Sequence, residues 1–300
     1  MTAPVSSAVV LEEATWREQE AAHAERADAL TRAHRERRQT GQPHPVEDFL
    51  YTYYPTRPAQ LRRWHPGAGV LLAGGADRAG WRWYRVDGVD GAGRAWLDVG
   101  AFLADRGEGV AWARELLSRT LERPGRYTCF GMHEWAMVYR TRQVRHQQVP
   151  LRLGAEGTDE VVRAHPLRCT HFDAFRFFTE DAVPRNERHL DRASQLELEQ
   201  PGCLHANMDT YRVAMKLGPA VPGELLLDCF ELARDIRELD MRASPYDLRD
   251  WGYEPVPVET AAGKATYVAA QREFTVRANA LRERLLAAVA ALGGTHSRAT

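Results

Sequence analysis

The sequence predicts a mainly α-helical protein with one small β-hairpin, an α+β chain built as a single globular domain with an N-terminal helical arm. Three features point there. Strong helix formers with helical apolar spacing recur along most of the 300 residues, strict alternation is confined to one stretch, and no linker or internal repeat divides the chain. A composition of 44% hydrophobic and 27% charged residues supports one generous core and leaves disorder to the ends. The expected division is a helical arm over 1–40, a globular body over 41–293 and a disordered tail over 294–300.

The arm is read from Leu11 to about Gln39, where Ala, Glu, Arg and Leu dominate, Thr15 offers a cap and Gly41 a stop. His44-Pro45-Val46-Glu47-Asp48 then opens a second helix, because proline at the first helical position lacks only an N–H that would be orphaned anyway; Pro55 ends it. A short helix from Pro58 to Trp64 stops before His65-Pro66-Gly67. Alternation in Trp81–Val86 and Ala95–Val99, with Asp-Gly and Gly-Arg turns between, predicts the hairpin. Helical spacing resumes over Ala111–Leu121, His133–Tyr139, Leu204–Leu217, Pro222–Met241 and Lys264–Leu292, with proline-rich breaks at 218–222 and 254–257.

No positively charged n-region precedes Val9-Val10, and no apolar run approaches a membrane span, so a cytoplasmic protein is expected. Four cysteines, at 129, 169, 203 and 229, are too sparse for a disulfide scaffold and fit free thiols in a reducing compartment. A net charge of −1 gives no global attraction to nucleic acid, so contact with phosphates would need a local patch. Walker A, GxGxxG, GxSxG and HExxH patterns are missing, which removes the usual nucleotide-binding, hydrolase and zincin readings.

Chemistry concentrates in three islands that place a cysteine, a histidine and a carboxylate near aromatic or apolar residues: Cys129–Trp135, Cys169–Phe178 and Cys203–Asp209. Ionisable groups beside flat apolar walls suit a pocket for a planar substrate. His205 and Asp209 are four apart and share a helix face, suiting a metal, a water or a sugar oxygen; a surface ion pair has the same spacing. His133 and Glu134 point about 100° apart on a helix and cannot act as one ligand pair. Trp135 and Tyr139 fit core or pocket wall. Between 169 and 178, an extended chain would align Cys169, His171, Asp173, Phe175 and Phe177, whereas a helix would align His171 with Phe175. On the 222–241 helix, Asp228, Glu231, Asp235 and Glu238 form an acidic stripe that reads as a solvated face. Arg57, Arg62 and Arg63 lie among aromatics, as do Arg140, Arg142, Arg145 and Arg152; such interleaving serves either a phosphate backbone or a solvated surface.

The blocks His44–Tyr54, Arg57–Gly67, His133–Tyr139, His171–Phe178, Glu199–Asp209 and Leu239–Asp247 resemble a family of actinobacterial proteins labelled 3-methyladenine DNA glycosylase, over roughly residues 44 to 275. The resemblance implies a DNA-repair hydrolase that cuts the N-glycosidic bond of alkylated purines in damaged double-stranded DNA without a cofactor. Asp209, Asp173, Glu134, His205, His171 and His133 are then the candidate catalytic groups. Trp135, Tyr139, Phe175, Phe178 and Asn207 are the expected pocket, and Arg57, Arg62, Arg63 and Arg142 the phosphate contacts. The alternative is an enzyme acting on a small planar substrate through a divalent metal held by His133, His171, His205 and Asp209.

Overall fold

A computed structural model describes residues 9–54, 56–88 and 93–293, and the expected tail therefore lies outside the described residues, as does Pro55. The chain is mainly helical with one small sheet. The arm helix α1 (Glu13–Thr40) follows a short strand, β1 (Val9–Leu11), and ends at Gly41, whose positive φ of 67° caps it. Then come the short helices α2 (Phe49–Thr52) and α3 (Pro58–Leu61), strand β2 (Val70–Leu72), and the hairpin of β3 (Tyr84–Asp87) and β4 (Arg94–Leu97). The expected Asp90-Gly91 turn lies outside the described residues. Helix α4 (Val99–Glu122) starts well before the expected Ala111, because Asp98 caps it by accepting from the Ala101 amide at 3.0 Å while Gly100, Gly107 and Gly109 dilute its helical signature. The rest is helical: α5 (Met132–Ala136), α6 (Gly154–Ala164), α7 (Phe172–Phe175), α8 (Gln195–Leu198), α9 (Leu204–Leu217), α10 (Gly223–Arg242) and α11 (Ala261–Gly293). No helix among the described residues is long and apolar enough to cross a membrane.

The hairpin belongs to a four-stranded sheet of order β1-β2-β4-β3, in which β1 runs parallel to β2. Behind the sheet Trp16 and Trp64 stack, with ring centroids 6.3 Å apart, and the Trp16 indole N–H donates to the Ala73 carbonyl at 2.8 Å. The second helix does not begin at Pro45. Asp48 turns its carboxylate back onto the His44 amide at 2.8 Å and takes the Arg37 guanidinium at 2.9 Å, so residues 45–48 form turns ahead of α2.

The main core is a layer of long helices in which α9 packs against α10 and α11, and α11 also covers α4. Alternating polarity explains that role for α10. Leu225, Cys229, Leu232, Ala233 and Ile236 are buried along one face, while the acidic stripe beside them receives arginines. Arg26 of α1 meets Asp228 at 2.7 Å and Glu231 at 2.6 Å, Arg284 of α11 meets Asp228 at 2.6 Å, and Arg277 meets Asp235 at 2.8 Å. Asp228, Glu231 and Asp235 are thus half-buried at a seam with two other helices, while Glu238 faces solvent as expected and pairs with Arg242 of its own helix at 3.1 Å.

Candidate functional site

The three cysteine-histidine-acid islands fold together. Helix α9 opens after the Pro201-Gly202 turn and carries His205, Asp209 and Arg212 on one face, four and three residues apart. Helix α10 faces it with Arg237 and Asp240, α5 supplies His133 and Glu134, and His171 stands at the start of α7. The imidazoles of His133 and His205 meet edge to face at 4.4 Å, and those of His171 and His205 stack at 5.4 Å. Three to six per cent of each of His133, Asp209 and His205 is exposed, and less of His171 and Asp240, so the group is buried.

One half of the cluster is closed by hydrogen bonds. His133 shares a 2.8 Å bond from Nε2 with Asp240 Oδ1, and its Nδ1 lies 3.7 Å from the Cys129 thiol. Arg237 donates to Glu134 Oε1 at 3.0 Å and to Asp240 Oδ2 at 3.1 Å. Burial opposes a charged imidazole at 133, but the Asp240 carboxylate outweighs it and holds the His133 pKa well above its ordinary value. Burial likewise opposes ionisation of Asp240, yet His133 and Arg237 keep its pKa below the usual carboxylate range. Glu134 moves the other way, raised by burial and by the Asp240 charge despite its guanidinium partner.

The other half is less complete. His171 Nδ1 is 3.0 Å from Glu199 Oε1, and its Nε2 is 3.7 Å from Asp209 Oδ2, but neither contact is aligned as a hydrogen bond. The Tyr54 hydroxyl donates to Asp209 Oδ1 at 2.8 Å. Arg212 joins Asp209 to Asp173, whose other oxygen is 3.1 Å from Arg176 Nε. Burial raises the Asp209 pKa against the pull of Arg212. Burial acts the same way on Asp173, but Arg212 prevails and keeps that carboxyl below its ordinary value. His205 stays neutral because burial, His133 and His171 all disfavour its charge.

A cavity of about 380 Å³ opens beside this cluster, with His205, Glu134, Asp173 and Arg237 among its lining groups. Its rings are Phe49, Tyr53 and Phe177: Phe49 stacks on Tyr53 at 4.9 Å, and Tyr53 meets Phe177 edge-on at 6.4 Å. Arg145 lies 3.8 Å over Phe177 and Arg237 3.9 Å over Phe49. His146, also on the cavity, is pushed down to about 4 by burial and by Arg237 and Arg145.

Among the expected pocket walls, the cavity does not include Trp135, Tyr139, Phe175, Phe178 or Asn207. Trp135 is buried and donates to the Ala243 carbonyl at 2.9 Å, while Tyr139, Phe175 and Phe178 pack in the main core. The reason is local: 172–175 is one short helical turn, so Phe175 and Phe178 share its inner side and Phe177 turns to the cavity. Asn207 Oδ1 accepts from Arg282 at 2.8 Å. The arginines of 57–63 sit elsewhere as well. Arg62 pairs with Asp28 of α1 at 3.0 Å, Arg63 lies 5.0 Å over Trp81, and Arg57 and Arg142 are exposed away from the lining. The cations that do reach the cavity are Arg145 and Arg237. Nor do His133, His171, His205 and Asp209 gather on one point: the atoms capable of ligation fall into two groups, His133-His205-Asp240 and His171-Glu199-Asp209.

Arg237 and Arg212 escaped the sequence reading, and Asp240 and Glu199 entered it only within the blocks Leu239–Asp247 and Glu199–Asp209, not among the candidate catalytic groups. Arg237 and Asp240 carried a signal, since they continue the buried stripe of Ala233 and Ile236, where an ionisable side chain must have a buried partner. Glu199 follows a helix of four residues and nothing in its neighbourhood marks it. Comparison with protein-family models, with curated proteins and with solved structures finds no match for this chain.

Proposed function

We propose that the protein is a DNA glycosylase that hydrolyses the N-glycosidic bond of alkylated purines such as 3-methyladenine. The supporting observation is the cavity, whose lining combines stacked aromatic rings with a carboxylate that Arg212 keeps ionised and a neutral imidazole. A 3-methylated adenine is a cationic leaving group, so cleavage needs little general acid. It needs aromatic faces for the charged base, a carboxylate for the developing oxocarbenium ion, and a way to take the base out of the duplex. Phe49, Tyr53 and Phe177 supply the faces. Asp173 is kept ionised by Arg212 and fits the carboxylate role, and His205 fits as acceptor of a proton from the attacking water. Arg145 at the cavity, with exposed Arg142 near it in sequence and exposed Arg176 next to the lining residue Phe177, suits the flanking phosphates of damaged double-stranded DNA. A cytoplasmic site of action fits the unpaired cysteines.

The test is release of methylated base from alkylated duplex DNA by recombinant protein. Wild type is expected to release it, Asp173→Asn to be slower by about 100-fold or more with an unchanged circular dichroism spectrum, and binding to weaken steeply with salt. Absence of both release and low-salt DNA binding in the wild type overturns the reading. A second reading, a metal-dependent enzyme acting on a small planar molecule in the same cavity, is favoured by the misaligned contacts of His171. Activity abolished by chelation and restored by metal distinguishes it.

A further inference from the structure

We infer that His171, Glu199 and Asp209 form a mononuclear site for a divalent first-row transition metal, separate from the His133-Asp240 network. This goes beyond the base-excision reading and does not depend on it.

His171 is 1% exposed, and although Glu199 and Asp209 stand beside it, neither ring nitrogen has an aligned hydrogen bond among the described residues. Leaving both nitrogens of one buried imidazole without an aligned partner is costly, and native interiors rarely tolerate it without an unseen partner. The spacing suits an ion. Two donors held about 2.1 Å from one metal at near right angles lie about 3 Å apart, and His171 Nδ1 is 3.0 Å from Glu199 Oε1. One donor atom from each of the three residues lies within 4.8 Å of the others.

The surroundings orient the carboxylates. Tyr54 donates to Asp209 Oδ1, Arg212 pairs with Asp209 Oδ2 and with Asp173, and Gln195 donates to Glu199, while Oδ2 also stands 3.7 Å from His171 Nε2. Such outer contacts fix the direction of ligand lone pairs. The neighbouring group offers no such vacancy, since both His133 nitrogens are engaged, by Asp240 and Cys129, and Arg237 holds the remaining Asp240 oxygen. One imidazole with two carboxylates suits manganese, iron, cobalt or zinc better than calcium or magnesium, which favour all-oxygen sets. His205 stacks on His171 and also lines the cavity, so the ion would sit one ring behind the cavity wall.

The experiment uses full-length protein purified without a histidine tag, stripped with dipicolinate and titrated with Mn²⁺, Fe²⁺ under argon, Co²⁺ or Zn²⁺ alone. One equivalent per chain is expected, with visible d–d bands for Co²⁺ and a melting temperature that rises with metal concentration. Glu199→Gln and Asp209→Asn should each weaken binding by about 100-fold or more, whereas Asp240→Asn keeps the full equivalent. Should the first two fail to fold, Co²⁺-shifted imidazole resonances in histidine-labelled wild type, quenched in His171→Gln but not in His133→Gln, give the same answer. Substoichiometric binding at millimolar metal overturns the inference, as does loss of the ion in Asp240→Asn with retention in the other two.

Discussion

Arg237 holds two buried carboxylates at once, Glu134 and Asp240, and lies 3.9 Å over the face of Phe49. Removing the guanidinium would leave buried carboxylate charge without its partner, which costs up to about 3–5 kcal/mol. Arg237→Met is therefore expected to lower unfolding free energy in urea by that amount, with Glu134→Gln in the same chain recovering part of it. A loss under about 1 kcal/mol would contradict the pairing. Asp240 and His133 set a pH dependence with a definite sign. The folded His133 pKa is raised, so its stabilisation is complete below the unfolded value of about 6.5 and fades as pH climbs through the folded value. The folded Asp240 pKa is depressed, so its share is present above about 3.9 and fades as pH falls through the lower folded value. Melting temperature should accordingly peak between those limits and decline toward alkaline pH in the wild type, and the alkaline decline should shrink in Asp240→Asn. At this scale the sequence marked His133, His171, His205 and Asp209 through their density of ionisable types. It did not show their partners, because pairing across more than a hundred residues, as between His133 and Asp240, leaves no local spacing to read.

Helix α1 shows how an element is held by more than its own propensity. Trp16 is fully buried behind the sheet, Arg26 reaches the acidic seam of α10, and Arg37 pairs with Glu47 at 2.7 Å and Asp48 at 2.9 Å. Apolar burial should dominate over half-exposed ion pairs. Trp16→Ala is expected to cost about 3–5 kcal/mol and to open α1 to limited proteolysis, whereas Arg26→Ala should cost about 1 kcal/mol or less per pair lost. Equal effects in denaturant titrations would refute that ranking. Helix α9 was legible to the residue, since its apolar spacing runs between Pro201-Gly202 and Gly218-Pro219. Helix α6 was not: it begins at Gly154 with φ of 65° and buries only Thr158, Val161 and Val162. Strands β1 and β2 are three residues each and find one another 61 positions apart, so alternation had no length in which to show.

Across the whole molecule, distant segments meet closely at the turn that launches α9. A Cβ on Gly202 would lie 2.5 Å from the Arg126 carbonyl oxygen, and Gln200 Oε1 accepts from both the Arg126 and Gly202 amides, at 2.7 and 2.8 Å. Thr275 of α11 donates to the Pro201 carbonyl at 2.9 Å. Gly202→Ala must push the 126–129 strand of chain away from this turn, so a drop in melting temperature accompanied by altered reactivity of Cys129 toward iodoacetamide is expected. An unchanged melting curve would count against the close packing. The fold class and the gathering of the islands could be anticipated because helical spacing and residue type are local properties. The cavity wall could not, because Phe49, Tyr53, Phe177 and Arg145 come from segments that only tertiary packing brings side by side.

Helix α1 is also anchored through β1, whose register with Val70–Leu72 fixes its starting end while Arg37 fixes its finish. A rod riveted at both tips and at its middle cannot swing as a lever. Any movement of residues 9–40 must break strand pairing and the α10 ion pairs in concert, so sheet and helical layer would register the same mechanical event.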